Sequence, residues 1–339
     1  MTVFEEEIRS QGALLRARSL DGARDAGVAA QEWRDVTHLV VAARGSSDHA
    51  AIFFQYLAGQ ELGLLVALAA PSLYEGSRQV GLAGAGVLAI SQSGRSPGMV
   101  DVVAQARRQG CASAAITNDA TSPLALASDH VIELRAGHER AIASTKTFST
   151  TWHALAQLVE ALGSEPLAGM DVLADAVERT AHWALEQSLP LELLDVRGLT
   201  MVGRGVGYAV AAEIALKVRE VTGVRAEAYA APDFLHGPIG ADGEGCTAVL
   251  VVTDEMSDDV VSELLQGCAE AGMATLVIRP STRVEFACDA QIVLPEVAPN
   301  WVTGLCAVVV GQVIALRLGT VRGRPIDTSP RLSKVTLSA

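Results

Sequence analysis

The sequence is short of the residues that several kinds of chemistry and targeting require. Aromatic residues fill 4% of its 339 positions and charged residues 19%. Lys and Arg number 26 against 39 Asp and Glu, a formal charge of −13. So few basic residues leave no footprint for nucleic acid or an anionic membrane surface, both of which are bound through basic patches. The five cysteines (Cys111, Cys246, Cys268, Cys288 and Cys306) are odd in number, scattered, and form no C-x-x-C pair. They read as small core residues in a reducing compartment, so neither metal nor redox chemistry is indicated and no cofactor is expected. The chain reads as lacking a charge-free apolar run of about 18 residues, so no membrane span is expected. Its first residues, MTVFEEEIRS, are acidic where a secretory signal is basic, which points to the cytoplasm.

Hydrophobic residues are plentiful, at 50% of the chain. That suffices for one large core or two ordinary ones. Apolar, β-rich runs between turn signals occur at 37–45, 63–71, 84–94, 112–119 and 129–134, and again at 198–205, 224–230, 246–254, 274–280 and 290–296. The starts of corresponding runs differ by 161, 161, 162, 162 and 161 residues, which indicates an internal duplication. Helical patterns such as 96–109 and 207–222 lie between the runs. Continuous apolar strands alternating with helices indicate parallel sheets covered on both faces. The expected fold is therefore α/β: two tandem doubly wound, flavodoxin-like domains of about five strands each. The boundaries predicted are an N-terminal helix within 1–25 (about 4–18), a first domain at 26–165, a helical connection at 166–190, a second domain at 191–325 and a tail at 326–339.

Open sheets of this kind collect ligands beyond the carboxyl ends of their strands, beside helix N-termini. LAISQSGRSPGMVD (88–101) ends a strand near Ile90 in Ser91, Gln92, Ser93, Gly94, Arg95 and Ser96, followed by Pro97. Serine suits an N-cap and proline the first helical position. Side-chain donors, the helix dipole and a glycine that admits close approach would together suit a phosphate dianion; an ordinary capped helix has the same composition. AARGSSDHA (42–50) repeats the form with Gly45, Ser46 and Ser47, and IASTKTFSTTWHALAQLVE (142–160) sets Ser144 and Thr145 ahead of a helix. GRGVGYAVAAEIALKVREV (203–221) has Gly203, Gly205 and Gly207, with Glu227 about 20 residues on, but this is G-x-G-x-G, a broken dinucleotide fingerprint. On the helix that follows, Glu213, Lys217 and Glu220 share one face, either as a solvated stripe or as buried acid–base groups among apolar neighbours. His236 sits in FLHGPIG and Lys334 in the C-terminal PRLSKVTLSA; taken singly, a loop histidine and a tail lysine are more often structural or solvated.

In this order the segments resemble the sugar isomerase (SIS) domain family. The resemblance is closest to the isomerase half of glucosamine-6-phosphate synthase and to the SIS-type glucosamine-6-phosphate deaminases. It is carried by GSS (45–47), SQSGRS (91–96), ASTKTF (143–148), ALKVRE (215–220), AEAYAAPDFLHGP (226–238) and LSKVT (332–336), with FEEEIRSQGALLR (4–16) resembling the opening helix. It implies that Ser46, Ser47, Ser91, Gln92, Ser93 and Ser96 hold a sugar phosphate, with Ser144 nearby. It further implies that Glu220 moves a proton between C1 and C2, and that His236, delivered by the partner subunit of a homodimer, opens the ring. Lys334, on a tail folded over the site, would contact the open chain or form a Schiff base at C2; a lysine buried there loses its charge readily. Arg95 and Ser96 depart from the synthase's SQSGET, and Pro232-Asp233 from its commoner small-acidic pair. The synthase's glutaminase domain and its N-terminal cysteine have no counterpart here, where residue 2 is Thr. The expected reaction is accordingly the deaminating one: glucosamine 6-phosphate opens, isomerises through Glu220, and releases ammonia and fructose 6-phosphate. The alternatives are a deglycase of phosphorylated Amadori adducts such as fructoselysine 6-phosphate, an isomerase subunit served by a separate glutaminase, and a non-catalytic phosphosugar sensor.

Overall fold

The computed structural model describes residues 1–76, 79–295, 298–329 and 334. Ten strands form two five-stranded sheets, and every pairing in them is parallel. The first sheet holds β1 (His38–Ala42), β2 (Leu65–Leu68), β3 (Ala85–Ile90), β4 (Ser113–Thr117) and β5 (His130–Glu133), in the order β2-β1-β3-β4-β5. The second holds β6 (Gly198–Gly203), β7 (Arg225–Ala230), β8 (Cys246–Val251), β9 (Ala274–Pro280) and β10 (Ala290–Leu294), in the equivalent order β7-β6-β8-β9-β10. All ten fall inside the apolar runs identified in the sequence. The central strands β3, β4 and β8 are buried at every residue, as a sheet covered on both faces requires.

The duplication extends to register and to turns. His38 aligns with Leu65 and Ala85; Gly198 aligns with Arg225 and Cys246. The helices are α1 (Val3–Glu32), α2 (Ser46–Leu62), α3 (Pro97–Arg108), α4 (Pro123–Ala127), α5 (Lys146–Leu162), α6 (Leu173–Glu186), α7 (Val206–Thr222), α8 (Ala231–Leu235), α9 (Asp258–Glu270) and α10 (Asn300–Val321). Helices α2 and α7 are both 17 residues long. Each is entered through a glycine, Gly45 at φ 59° or Gly205 at φ 58°, and left through another, Gly63 or Gly223, in the left-handed conformation.

Two expectations need correction. The N-terminal helix runs on to Glu32. A side chain at Gly22 would overlap Gln157 and Arg18, so this glycine serves close packing inside the helix. The chain also does contain a segment long and apolar enough to cross a membrane, α10; its most apolar stretch of eighteen residues is 94% buried in the protein, as in a core helix.

Contacts divide the chain into two compact units. One comprises Met1–Gly12, Arg140–Thr145 and 172–329; the other comprises Ala13–Glu139, Lys146–Asp171 and Lys334. Boundaries drawn along the sequence cannot express this interleaving, which polar contacts fix. Asp327 accepts the N–H groups of Val3 and Phe4, and Glu7 accepts those of Arg140 and Ala141. In the unit with the first sheet, Phe53 of α2 stacks on Trp152 of α5 at 3.5 Å, with Phe148 beside it. In the other unit, α7 lies against α10 closely enough that a side chain on Gly311 would overlap Ile214.

Candidate active site

The turn after β3 is held from below by its own backbone. Ser91 N–H donates to Ile116 O, Gly94 N–H to Ser91 O, and Asn118 N–H to Gln92 O, each at 3.0 Å. Gly94 has φ 61°, and a side chain there would overlap Ser122. The requirement is therefore steric as well as conformational. We predict that Gly94→Ala costs about 2 kcal/mol or more, since a non-glycine residue in this region alone costs about 1–3 kcal/mol. Thermal unfolding reads the effect.

Ser91 and Ser96 hydroxyls approach to 3.4 Å, and Ser93 Oγ accepts from Arg95 N–H at 3.3 Å. Ser96 occupies the N-cap position of α3, with Pro97 opening the helix, but its hydroxyl makes no cap bond. The true serine caps are Ser122 on α4 and Ser257 on α9, which accept from Ala125 and Val260. Arg95, which stands where the synthase has an acidic residue, pairs with Asp119 at 3.0 Å in an exposed contact. The turn after β1 places Ser46 and Ser47 at the start of α2. Ser46, Ser47, Ser91, Gln92, Ser93 and Ser96 thus belong to one unit, on the carboxyl ends of the adjacent strands β1 and β3.

Arg44, which the sequence reading passed over, belongs with them. Its guanidinium faces Glu75 at 3.7 Å and lies close over Gly98 in the first turn of α3. Its placement just before Gly45 was the available signal.

In the duplicate half, the equivalent place is filled. Glu255 accepts the Val206 N–H at the start of α7 at 2.7 Å, and its carboxylate covers Gly205 so closely that no side chain would fit there. The helix end that attracts an anion already holds one. The dinucleotide reading fails for the same reason. Its acidic residue, Glu227, is engaged by the Tyr229 hydroxyl at 2.6 Å, which pushes the Tyr229 pKa up to about 12.

Helix α7 carries Glu213, Lys217 and Glu220. Lys217, 1% exposed, lies 3.4 Å from Glu213, itself completely buried, and donates to Glu220 at 2.6 Å. The solvated-stripe alternative is excluded for this face. Glu220 retains 24% exposure and has one carboxylate oxygen on Lys217, so it is the member of the trio that a ligand can reach. His236 is exposed at the end of α8, where its N–H donates to Asp233 O. Pro232 fits as one of the first helical residues of α8. Ser144 precedes α5 in the same unit as Glu220 and His236, apart from the unit of the other serines.

Lys334 is not an isolated buried lysine. It is partly exposed and donates to Glu139 Oε2 at 2.6 Å. Of the tail around it, 330–333 and 335–339 lie outside the described residues. Burial by itself would raise the Glu139 pKa; the Lys334 charge and the hydrogen bonds from Lys334 and Thr147 outweigh it and hold the carboxyl below its ordinary range. The stabilisation from Glu139 is thus complete above the ordinary carboxyl pKa and lost as pH falls through the lowered one. No cluster of His, Cys, Asp or Glu suited to a metal occurs among the described residues, and no disulfide joins the cysteines there.

Comparison with known proteins places this geometry. Residues 33–161 and 192–321 each match the SIS domain. A glutamine–fructose-6-phosphate aminotransferase (isomerizing) from Symbiobacterium thermophilum is 29% identical over 340 residues, covering 95% of this chain and 55% of that protein. The chain spans about half the length of the curated relatives it matches. A crystal structure from Silicibacter pomeroyi DSS-3, provisionally described as a phosphosugar isomerase, superposes with a TM-score of 0.82 at 30% identity, covering 96% of this chain and 99% of that one. A glucosamine-6-phosphate deaminase from Thermotoga maritima shares the fold, with a TM-score of 0.76 at 19% identity over 99% of this chain and 100% of that one. The chain belongs to the SIS domain family, with one SIS domain built around each of its two parallel sheets.

Proposed function

We propose that this protein is an aminosugar-phosphate isomerase of the deaminating kind, converting glucosamine 6-phosphate and water to fructose 6-phosphate and ammonia. The observation that carries the reading is the asymmetry between the duplicated halves. One strand–helix turn pair is built of hydroxyls, an amide and a glycine, while its counterpart is closed by the carboxylate of Glu255. A single anion position in a chain of charge −13 fits one phosphate monoester held by local donors and helix dipoles.

In this reading Ser46, Ser47, Ser91, Gln92, Ser93 and Ser96 hold the phosphate and nearby hydroxyls, with Ser144 as a further contact. His236 transfers the proton that opens the ring, contributed by the partner subunit of a homodimer. Glu220 takes the proton from C2 and returns it to C1, leaving an imine at C2; water adds there and ammonia leaves. Lys217 holds the Glu220 carboxylate in place, and Lys334 contacts the open chain. The cytoplasm supplies the setting. Relatives whose names place the amine of a hexose 6-phosphate at the centre of their chemistry support the substrate class.

The test is one incubation of the pure protein with glucosamine 6-phosphate, read for both ammonia and fructose 6-phosphate. Stoichiometric appearance of the two is expected; a folded protein that binds the sugar phosphate and forms neither product contradicts the reading. A second reading, the isomerase part of an amine-incorporating system, is favoured by the 29% identity to aminotransferases over 95% of the chain. Fructose 6-phosphate with ammonia or glutamine would then be the productive mixture. Turnover of fructoselysine 6-phosphate faster than the aminosugar would instead favour a deglycase.

A further inference from the structure

The chain has three lysines, Lys146, Lys217 and Lys334, among its 26 basic residues. Arginine serves everywhere else, so the places that hold a compact, three-donor ammonium stand out. Two of the three converge on consecutive residues. Lys146 Nζ donates to His138 O at 2.8 Å, and Lys334 Nζ donates to the Glu139 carboxylate at 2.6 Å. Glu139 is itself almost wholly buried, and the first turn of α5 supplies its other donors. Thr147 N–H reaches Glu139 Oε1 at 3.0 Å and the Thr147 hydroxyl reaches Oε2 at 2.6 Å. A buried carboxylate costs free energy unless it is paired and hydrogen-bonded. The fold therefore maintains Glu139 with donors from the first turn of α5 and completes it with a cation 195 residues further along the chain.

We propose that Glu139 is a positioning residue that seats Lys334, fixing where the ammonium of the C-terminal segment stands. This rests on the reading of Lys334 as the contact of the open-chain sugar. Seated in this way, Lys334 offers the sugar a charge and hydrogen bonds, and a Schiff base at C2 requires the pair to part first, since a protonated amine is no nucleophile. Charge-assisted hydrogen bonds of this length are among the strong ones, so the seat sets the position of the amine.

The scarcity of lysine makes the experiment clean. Lys146 and Lys217 are buried, so an acetylating N-hydroxysuccinimide ester at neutral pH, read by peptide mass spectrometry, reports chiefly on Lys334 and the N-terminal amine. Glu139→Gln is expected to speed labelling of Lys334 about tenfold, the change corresponding to one charge-assisted bond, with Lys146 and Lys217 still protected. Glu139→Asp should stay close to the wild type. In turnover of glucosamine 6-phosphate, Glu139→Gln should lower kcat as Lys334→Ala does, and the double variant should be no worse than Lys334→Ala alone, because both act through one ammonium. Equal labelling of Lys334 in wild type and Glu139→Gln overturns the proposal, as do losses that multiply in the double variant. If labelling of Lys146 and Lys217 shows that Glu139→Gln has unfolded, the wild type decides: Lys334 should label about tenfold slower in the native protein than in urea, and equal rates overturn the seat. Labelling needs no turnover, so failure of the proposed reaction leaves this arm intact.

Discussion

Glu220→Gln should reduce turnover of glucosamine 6-phosphate about a thousandfold while leaving the fold and the binding of the sugar phosphate in place; positioned general bases contribute about 10²–10⁴. Glutamine is nearly isosteric, and its carbonyl oxygen can still accept from Lys217, which keeps Glu213 as its ionic partner. The variant thus removes the proton acceptor without disturbing the buried face of α7. Stability should change by less than about 1 kcal/mol, the scale of one hydrogen bond made by a partly exposed group. Initial rates of ammonia release, set beside an unfolding curve and a binding isotherm, separate these effects. A variant that keeps more than a tenth of the wild-type rate would take Glu220 out of the chemistry.

Lys217→Met has the largest expected effect on stability. Lys217 is the cation between two carboxylates, and Glu213 has no exposure through which water could take over the role. Removing one partner from a buried ion pair costs about 3–5 kcal/mol, because the remaining charge loses its counter-ion. Most of that cost belongs to Glu213, so adding Glu213→Gln to Lys217→Met should restore a large part of the lost stability. Urea unfolding of the three proteins gives the comparison. If Lys217→Met unfolds at the wild-type midpoint, Lys217 is not paying for a buried charge and the picture of α7 is wrong.

The strands were legible because parallel strands covered on both faces have no polar side to interrupt them; β3, β4 and β8 are written as unbroken apolar runs. The duplication was legible because both halves keep the same spacing and the same positive-φ glycines around α2 and α7. What the sequence hid depends on tertiary partners. The first helix runs past its predicted end to Glu32, through Gly22, which packs against Gln157 and Arg18. Segments 1–12 and 140–145 join the unit with the second sheet through Asp327 and Glu7, contacts that no local periodicity encodes. Ser96 occupies a cap position without capping, and only coordinates reveal that. Glu255 is one of many acidic residues in the sequence; its role at α7 emerges only once Gly205 and Gly45, 160 residues apart, are matched as equivalents. Glu139 stands in plain view beside ASTKTF, but its partner Lys334 lies at the other end of the chain.

Everything functional above depends on an anion position in one half of a duplicated fold. A crystal of the protein grown with glucosamine 6-phosphate tests that most directly. The phosphate should sit within hydrogen-bond distance of the Ser91–Ser96 turn and the Ser46–Ser47 helix start, with Glu255 still on Val206 in the other half. Phosphate density at α7 with Glu255 displaced, or a sugar bound while the Ser91–Ser96 turn stays empty, would contradict the account.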